Sequence, residues 1–401
     1  MTSHTIIGTR NVLVFGSNNY NQLGFIDPIT NLYGVMEPQY LMENKDIIQI
    51  ICHNEFTIIL KEHGEILVFG SNRYGQLGLS SSRIRVPTPL LVINKHVIQI
   101  ACGDMHTLIL TLDGQVFSFG SNKYGQLGLD HNCNNKYPEL YNHKYYQKIN
   151  QTKTSKFIIK IACGGFHSII VANNYEIFVF GRNDAGQLGL DHNGVQYSPT
   201  LLMKNENINK IICGWGHTIM LNDNGQVFVF GYYNFCLRSN ERQTTPHPLA
   251  IMSDKNIVQV ACDQDCAVFL ADNGEVWRVG YMYEPKLLIT DNAIVQITCG
   301  ENHTIILKNN GQILVVGSND CGQLGLGNVK KQNVPQLLMD GVTIMFNTVD
   351  LLKWIPAHHR YFSYRFREKI WVFLLALKRF QFVTGIYVPK FVRFEIVKKC
   401  V

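Results

Sequence analysis

Two short signatures recur along this chain, and their recurrence constrains the fold more than any other feature. The first reads apolar-apolar-Phe-Gly-Ser-Asn and then Tyr-Gly-Gln-Leu-Gly. It is anchored at Gly16, Gly70, Gly120, Gly181, Gly231, Gly280 and Gly317, at spacings of 54, 50, 61, 50, 49 and 37 residues. The second reads Ala-Cys-Gly-x-x-His-Thr and is anchored at His53, His106, His167, His217, Cys266 in place of histidine, and His303. Between them lie β-branched and aromatic runs joined by Asp113-Gly114, Asn224-Gly225, Asn273-Gly274 and Asn310-Gly311. Asn-Gly and Asp-Gly are hairpin signals, because tight hairpin turns need positive φ at their central residues.

Several short strands per unit, repeated about every 50 residues, predict propeller blades. The expected fold is all-β: a seven-bladed β-propeller over residues 1–346, followed by a small basic α-helical module over 347–401. Six units run from Gly16 to Gly317. Joining the strand Asn11 to Phe15 to Gly317–Phe346 is expected to complete the seventh blade, closed by both ends of the repeat region.

Gly70-Ser71-Asn72-Arg73-Tyr74-Gly75-Gln76-Leu77-Gly78 and Ala101-Cys102-Gly103-Asp104-Met105-His106-Thr107 resemble the two halves of the regulator of chromosome condensation repeat. The match recurs over residues 11–346. The resemblance implies a seven-bladed propeller. The family it points to includes exchange factors for the small GTPase Ran, ubiquitin-ligase subunits, a plant photoreceptor and scaffolds, so it leaves function open.

The repeated residues have structural readings. Gly75, Gly78, Gly125 and Gly128 suit turns that need positive φ or close backbone approach. Gln76 and Gln126 are expected to satisfy backbone groups within those turns. His106, His167, His217 and His303 lie tens of residues apart on a ring; they are expected to bond neighbouring backbone, not to gather round a metal. Cys52, Cys102, Cys163, Cys213, Cys262 and Cys299 each end an apolar run and read as reduced packing residues in an intracellular protein, cytoplasmic or nuclear. No secretory signal and no membrane-spanning run is apparent. No phosphate-cradling loop, nucleophile elbow or metalloprotease helix occurs, so no catalytic residue, cofactor or metal is expected.

The departures from the repeat suggest where a partner binds. The long third unit inserts about ten extra residues, with Tyr137, Tyr141, Tyr145 and Tyr146 among Lys136, Lys144 and Lys148. Two eroded units lose the Gln-Leu-Gly turn and gain Tyr232, Tyr233, Phe235 and Arg238 in one, Tyr281 and Tyr283 in the other. These are the expected partner-binding residues. Trp215 echoes a photoreceptor motif, but a single copy cannot form a tryptophan cluster. The tail holds 11 Lys/Arg against three Asp/Glu, leaving 25 basic against 27 acidic residues elsewhere. Within it, Arg365 to Val383 has helical spacing with an apolar stripe. The segment from Pro389, with Phe391, Phe394 and Ile396, is loosely similar to the opening of an F-box, and with Trp354 and Trp371 forms the expected docking element. The resulting expectation is a non-catalytic, monomeric interaction platform. Its partner would be a small GTPase or a ubiquitin-ligase adaptor, with nucleotide exchange on a Ran-like GTPase or a chromatin or nucleic-acid role as alternatives.

Overall fold

The computed structural model describes residues 4–8, 11–25, 34–43, 46–53, 55–79, 84–94, 97–130, 147–148, 157–231, 243–248, 254–262, 266–280, 285–300 and 302–340. They form seven antiparallel sheets, the blades of a propeller, and contain no α-helix. Blade I spans 4–43, II 47–94, III 97–148, IV 158–204, V 208–248, VI 257–290 and VII 294–339. Blades II to VII have four strands each, in chain order across the sheet. Blade IV is representative: Ile158–Cys163, His167–Ala172, Glu176–Gly181 and Gln196–Lys204, called here the inner, second, third and outer strands. The expected helical tail, with Trp354, Trp371, Pro389, Phe391, Phe394 and Ile396, lies outside the described residues.

Strand Asn11–Gly16 pairs with His4–Gly8 and Val35–Glu43, so the described N-terminal strands form blade I, as its second, third and outer strands. Ile313–Gly317 and Gln332–Met339 pair with one another and with the preceding strands of blade VII, so residues up to 339 do not join the Asn11 strand. Residues 341–346, the last part of the expected closure, lie outside the described residues. The anchor glycines stand at the end of the third strand, so a glycine-to-glycine unit straddles two blades. The two ends of the repeat region meet across the interface between blades VII and I: Thr5 Oγ1 donates to the Gln323 carbonyl at 2.9 Å and lies 2.9 Å from His303 Nε2.

Burial follows the blade geometry. The second strands are buried along nearly their whole length, as in His167–Ala172 and His217–Asn222, because both faces lie against neighbouring blades. Phe15, Phe69, Phe180 and Phe230 end their third strands fully buried, and Leu23, Leu77, Leu188 and Leu324 of the Gln-Leu-Gly turns are fully buried as well. Leu77 packs in the same cluster as Ile100, Ile109 and Phe119 of the next blade. The turn glycines Gly75, Gly78, Gly125 and Gly128 have φ between 68° and 78°, and Gly70, Gly120, Gly181 and Gly317 lie between 102° and 123°. Outer strands carry prolines, Pro38, Pro199 and Pro335, which remove a donor from the exposed edge and discourage sheet extension.

Inner strands are joined by side chains. Gln99 Nε2 donates to the Ile161 carbonyl and its Oε1 accepts from the Ile161 N–H, both at 3.0 Å. Gln49 makes the same pair of bonds to Ile100, and Gln259 to Ile297. In blade IV, Lys160 takes the position and donates to the Asn209 carbonyl. Gln99→Leu should therefore destabilise the propeller by about 1–3 kcal/mol, by stranding a backbone donor and acceptor. Urea unfolding of both proteins reads this directly.

Candidate partner-binding face

A propeller's interaction surfaces are set by where its loops emerge. In this ring the loops between inner and second strands leave the blade at the same end as those after the third strand, since His106 pairs with Gly120 and His167 with Gly181. Both signatures therefore converge on one face. What holds that face determines how rigidly it can present side chains.

A repeated link between blades supplies the rigidity. His167 Nε2 lies 2.9 Å from Thr218 Oγ1 of the next blade, and that hydroxyl donates to the Gln187 carbonyl at 2.9 Å. The hydroxyl has one hydrogen and gives it to the carbonyl. It must therefore accept from a protonated Nε2, which fixes the tautomer with the lone pair on Nδ1. The same link joins His106, Ser168 and Gln126; His4, Thr57 and Gln22; and His303, Thr5 and Gln323. Each of these four histidines thus bonds a hydroxyl of the next blade, where the sequence suggested neighbouring backbone; His217 has no such hydroxyl to reach, since Ala267 stands at that position. Strand register places the second signature differently in blade II. Phe56, not His53, pairs with Gly70 in blade II, and His4 pairs with Gly16 in blade I. His53 instead stacks on Phe56 with ring centroids 6.1 Å apart and faces Asp104 across 3.7 Å.

The glutamines do what their position implied. Gln76 Oε1 accepts from the Tyr74 N–H and Gln126 Oε1 from the Tyr124 N–H, each at 2.8 Å. The neighbouring asparagine has a matching role that the sequence reading did not assign. Asn72, Asn122 and Asn183 Oδ1 accept from the N–H of Leu77, Leu127 and Leu188 at 2.9 to 3.0 Å. Each turn is thereby held at both ends.

Burial pushes the imidazoles of His106, His167 and His217 down to about 3, with neighbouring histidines adding to the shift for the first two. Nδ1 of His106 and of His167 makes no hydrogen bond, so a proton there would be a buried donor facing no acceptor. Burial likewise pushes the Cys52, Cys102 and Cys213 thiols up to about 12. They are inert packing residues.

On this frame the loops of blades III, IV and V carry a compact aromatic and cationic cluster. The Arg182 guanidinium lies 5.0 Å from the Trp215 ring centre, 5.4 Å from Tyr124 and 5.8 Å from Phe166. Phe166 meets Tyr124 and Trp215 edge-on, at 5.4 and 6.1 Å. Asp184 receives two bonds of 2.6 Å from Arg182, which orient the guanidinium plane over the rings. Lys123 covers Tyr124 at 5.0 Å. The loops are tied sideways, Asp104 N–H to the Gly165 carbonyl at 3.1 Å and Gly165 N–H to the Gly214 carbonyl at 3.2 Å. Phe166, Arg182 and Trp215 are all half-buried. Toward blades I and II the same face holds Tyr20 beneath Arg85 at 5.2 Å, and the charge of Glu55 raises the Tyr20 phenol.

Tyr137, Tyr141, Lys144, Tyr145, Tyr146, Tyr232, Tyr233, Phe235, Arg238, Tyr281 and Tyr283 lie outside the described residues. Lys148 is described, in the two-residue outer strand Gln147–Lys148, paired with Phe117. The signal for the cluster was present in the sequence: Arg182 breaks the Ser of Phe-Gly-Ser-Asn, and Trp215 and Phe166 occupy variable loop positions. Only their convergence from three blades was hidden.

Comparison with known proteins places this architecture. Residues 2–287 match the RCC1-like domain, and 294–323 and 310–346 each match the regulator of chromosome condensation (RCC1) repeat. Among curated proteins, the chain is 39% identical over 192 residues to the human X-linked retinitis pigmentosa GTPase regulator, covering 47% of this chain and 18% of that protein. It is 28% identical over 207 residues to the RCC2 homolog of Xenopus laevis, covering 47% of this chain and 40% of that protein. The chain therefore spans less than half the length of these relatives. Among solved structures, human WBSCR16 superposes with a TM-score of 0.70 at 23% identity, over 82% of this chain and 94% of that one. Prp20p of Saccharomyces cerevisiae gives 0.68 at 18% identity, over 83% and 87%. With seven blades built from the repeated signatures and a family match over most of its length, the chain belongs to the RCC1-like domain family.

Proposed function

We propose that the chain is a non-catalytic interaction platform that receives a protein partner on the loop face of blades III to V. The observation that carries this reading is the Tyr124, Phe166, Arg182 and Trp215 cluster, contributed by three blades and oriented by Asp184. Aromatic residues and arginine dominate interface hot spots, and side chains already held in place lose little entropy on binding. Residues ordered by three separate blades form a unit whose geometry no partner has to induce.

Trp215→Ala is expected to weaken binding of proteins that co-purify with the full chain by about tenfold or more. Quantitative affinity purification checks this, with Leu337→Ala on the rim as the control. Unchanged recovery with Trp215→Ala overturns the proposal. A GTPase is the partner class to test first, because one relative is named a GTPase regulator. Release of labelled GDP from such a GTPase, accelerated by the chain, would add exchange to binding; an unchanged rate would leave binding alone. The F-box-like reading of the tail gains no support from the family match, which ends at residue 346.

A further inference from the structure

Blade VI departs from its neighbours at three positions that face other blades. Cys266 occupies the histidine position, pairing with Gly280 as His167 pairs with Gly181. Ala267 occupies the hydroxyl position, so no hydroxyl link can reach it from blade V. Arg278 occupies the third-strand position filled in five of the other six blades by Val14, Val68, Val179, Val229 and Val315, each at most 1% exposed.

The effect shows on the blade VII side. Thr304 is the hydroxyl that should receive a histidine from blade VI. It is fully buried, and its Oγ1 has no hydrogen-bond partner. Beside it, Arg278 reaches only the Cys266 sulfur at 3.8 Å and the Asn302 side-chain oxygen at 3.5 Å, both weak contacts for a half-buried cation. On the blade V side, Val279 stands where most blades place a fully buried phenylalanine and packs with Ile219, Leu221 and Val229, so the apolar contact there is smaller. The inner strands remain joined, since Gln259 holds Ile297 through two bonds of 3.2 and 2.8 Å.

We infer that blade VI is the seam of the ring: its outer three strands part from blade VII while the Gln259–Ile297 bridge acts as the hinge. An unpartnered hydroxyl and a poorly paired guanidinium at the interface both gain solvation on opening. At the blade IV to V junction, opening would instead break a complete histidine-hydroxyl-carbonyl link. The argument rests on the contacts between blades and is independent of what the loop face binds.

Hydrogen exchange followed by mass spectrometry on the full chain tests this. Amides of Cys266–Ala271 and Glu275–Gly280 are expected to exchange about tenfold or more faster than those of His167–Ala172 and Glu176–Gly181. Cys266→His gives Thr304 a ring N–H donor; it is expected to slow exchange in blade VI and in His303–Lys308 by about tenfold and leave blade IV unchanged. Thr218→Ala introduces a matching defect at the blade IV to V junction and is expected to speed exchange there by a similar factor. That variant keeps the test open should Cys266→His fold poorly. Protection in blade VI equal to that in blade IV overturns the inference, as does an exchange pattern that Thr218→Ala leaves unmoved.

Discussion

Lowering the pH below about 6 is expected to unfold the propeller steeply and cooperatively. His106, His167 and His217 have imidazoles held down near 3 by burial, against an ordinary value of 6.5. An unfolded chain binds three protons between these values that the folded ring refuses. Stability is therefore complete above pH 6.5 and is lost progressively as pH falls toward 3. Each histidine contributes a slope of about 1.4 kcal/mol per pH unit where its protonation differs fully, so the three together reach about 4 kcal/mol per unit. Against a total stability on the order of 5–15 kcal/mol, this places acid unfolding near pH 4–5. Circular dichroism against pH measures the midpoint. Carboxylates also contribute to acid unfolding, so the histidines are followed separately by nitrogen chemical shifts. For His106 and His167 the neutral tautomer protonated at Nε2 should persist down to the transition. Titration of these rings near 6.5 in the folded protein would contradict the structure.

The other large effect belongs to one atom. A Cβ on Gly164 would lie 2.1 Å from His167 Cε1 and 2.5 Å from both His167 Nδ1 and the Gly214 carbonyl oxygen. The His167 ring and the Gly214 carbonyl of blade V both crowd the glycine, and moving the ring would break its link to Thr218. Gly164→Ala is expected to cost about 3–5 kcal/mol, from overpacking together with a buried hydroxyl and imidazole left poorly paired. Thermal unfolding should show a fall on the order of 10 °C. Gly194→Ala is the control. Its nearest contact would be His192 Nδ1 at 3.3 Å in an exposed loop, and it should leave the melting temperature unchanged.

Blade VI shows how much a repeat can and cannot disclose. The loss of its Gln-Leu-Gly turn and the substitution of Cys266 for histidine are both visible by comparing one unit with the next. That Arg278 stands in a valine position is visible in the same way. That Thr304, in the following blade, thereby loses its partner is not, because the histidine and its hydroxyl come from different repeats. The same limit explains the misplaced histidine. His53 sits next to Cys52 in an otherwise faithful signature, and only strand register shows that Phe56 holds the equivalent place.

The sequence by itself determined the fold class, the number of blades and the residues that shape each turn. Those depend on local periodicity, hairpin turn chemistry and glycine conformation, which are properties of consecutive residues. Tertiary structure decided the rest. It fixed the tautomer and partner of His4, His106, His167 and His303, and gathered Tyr124, Phe166, Arg182 and Trp215 into one surface. Both depend on contacts between blades. Their partners lie roughly a repeat length or more apart in the chain, so their identity depends on how one blade is set against the next.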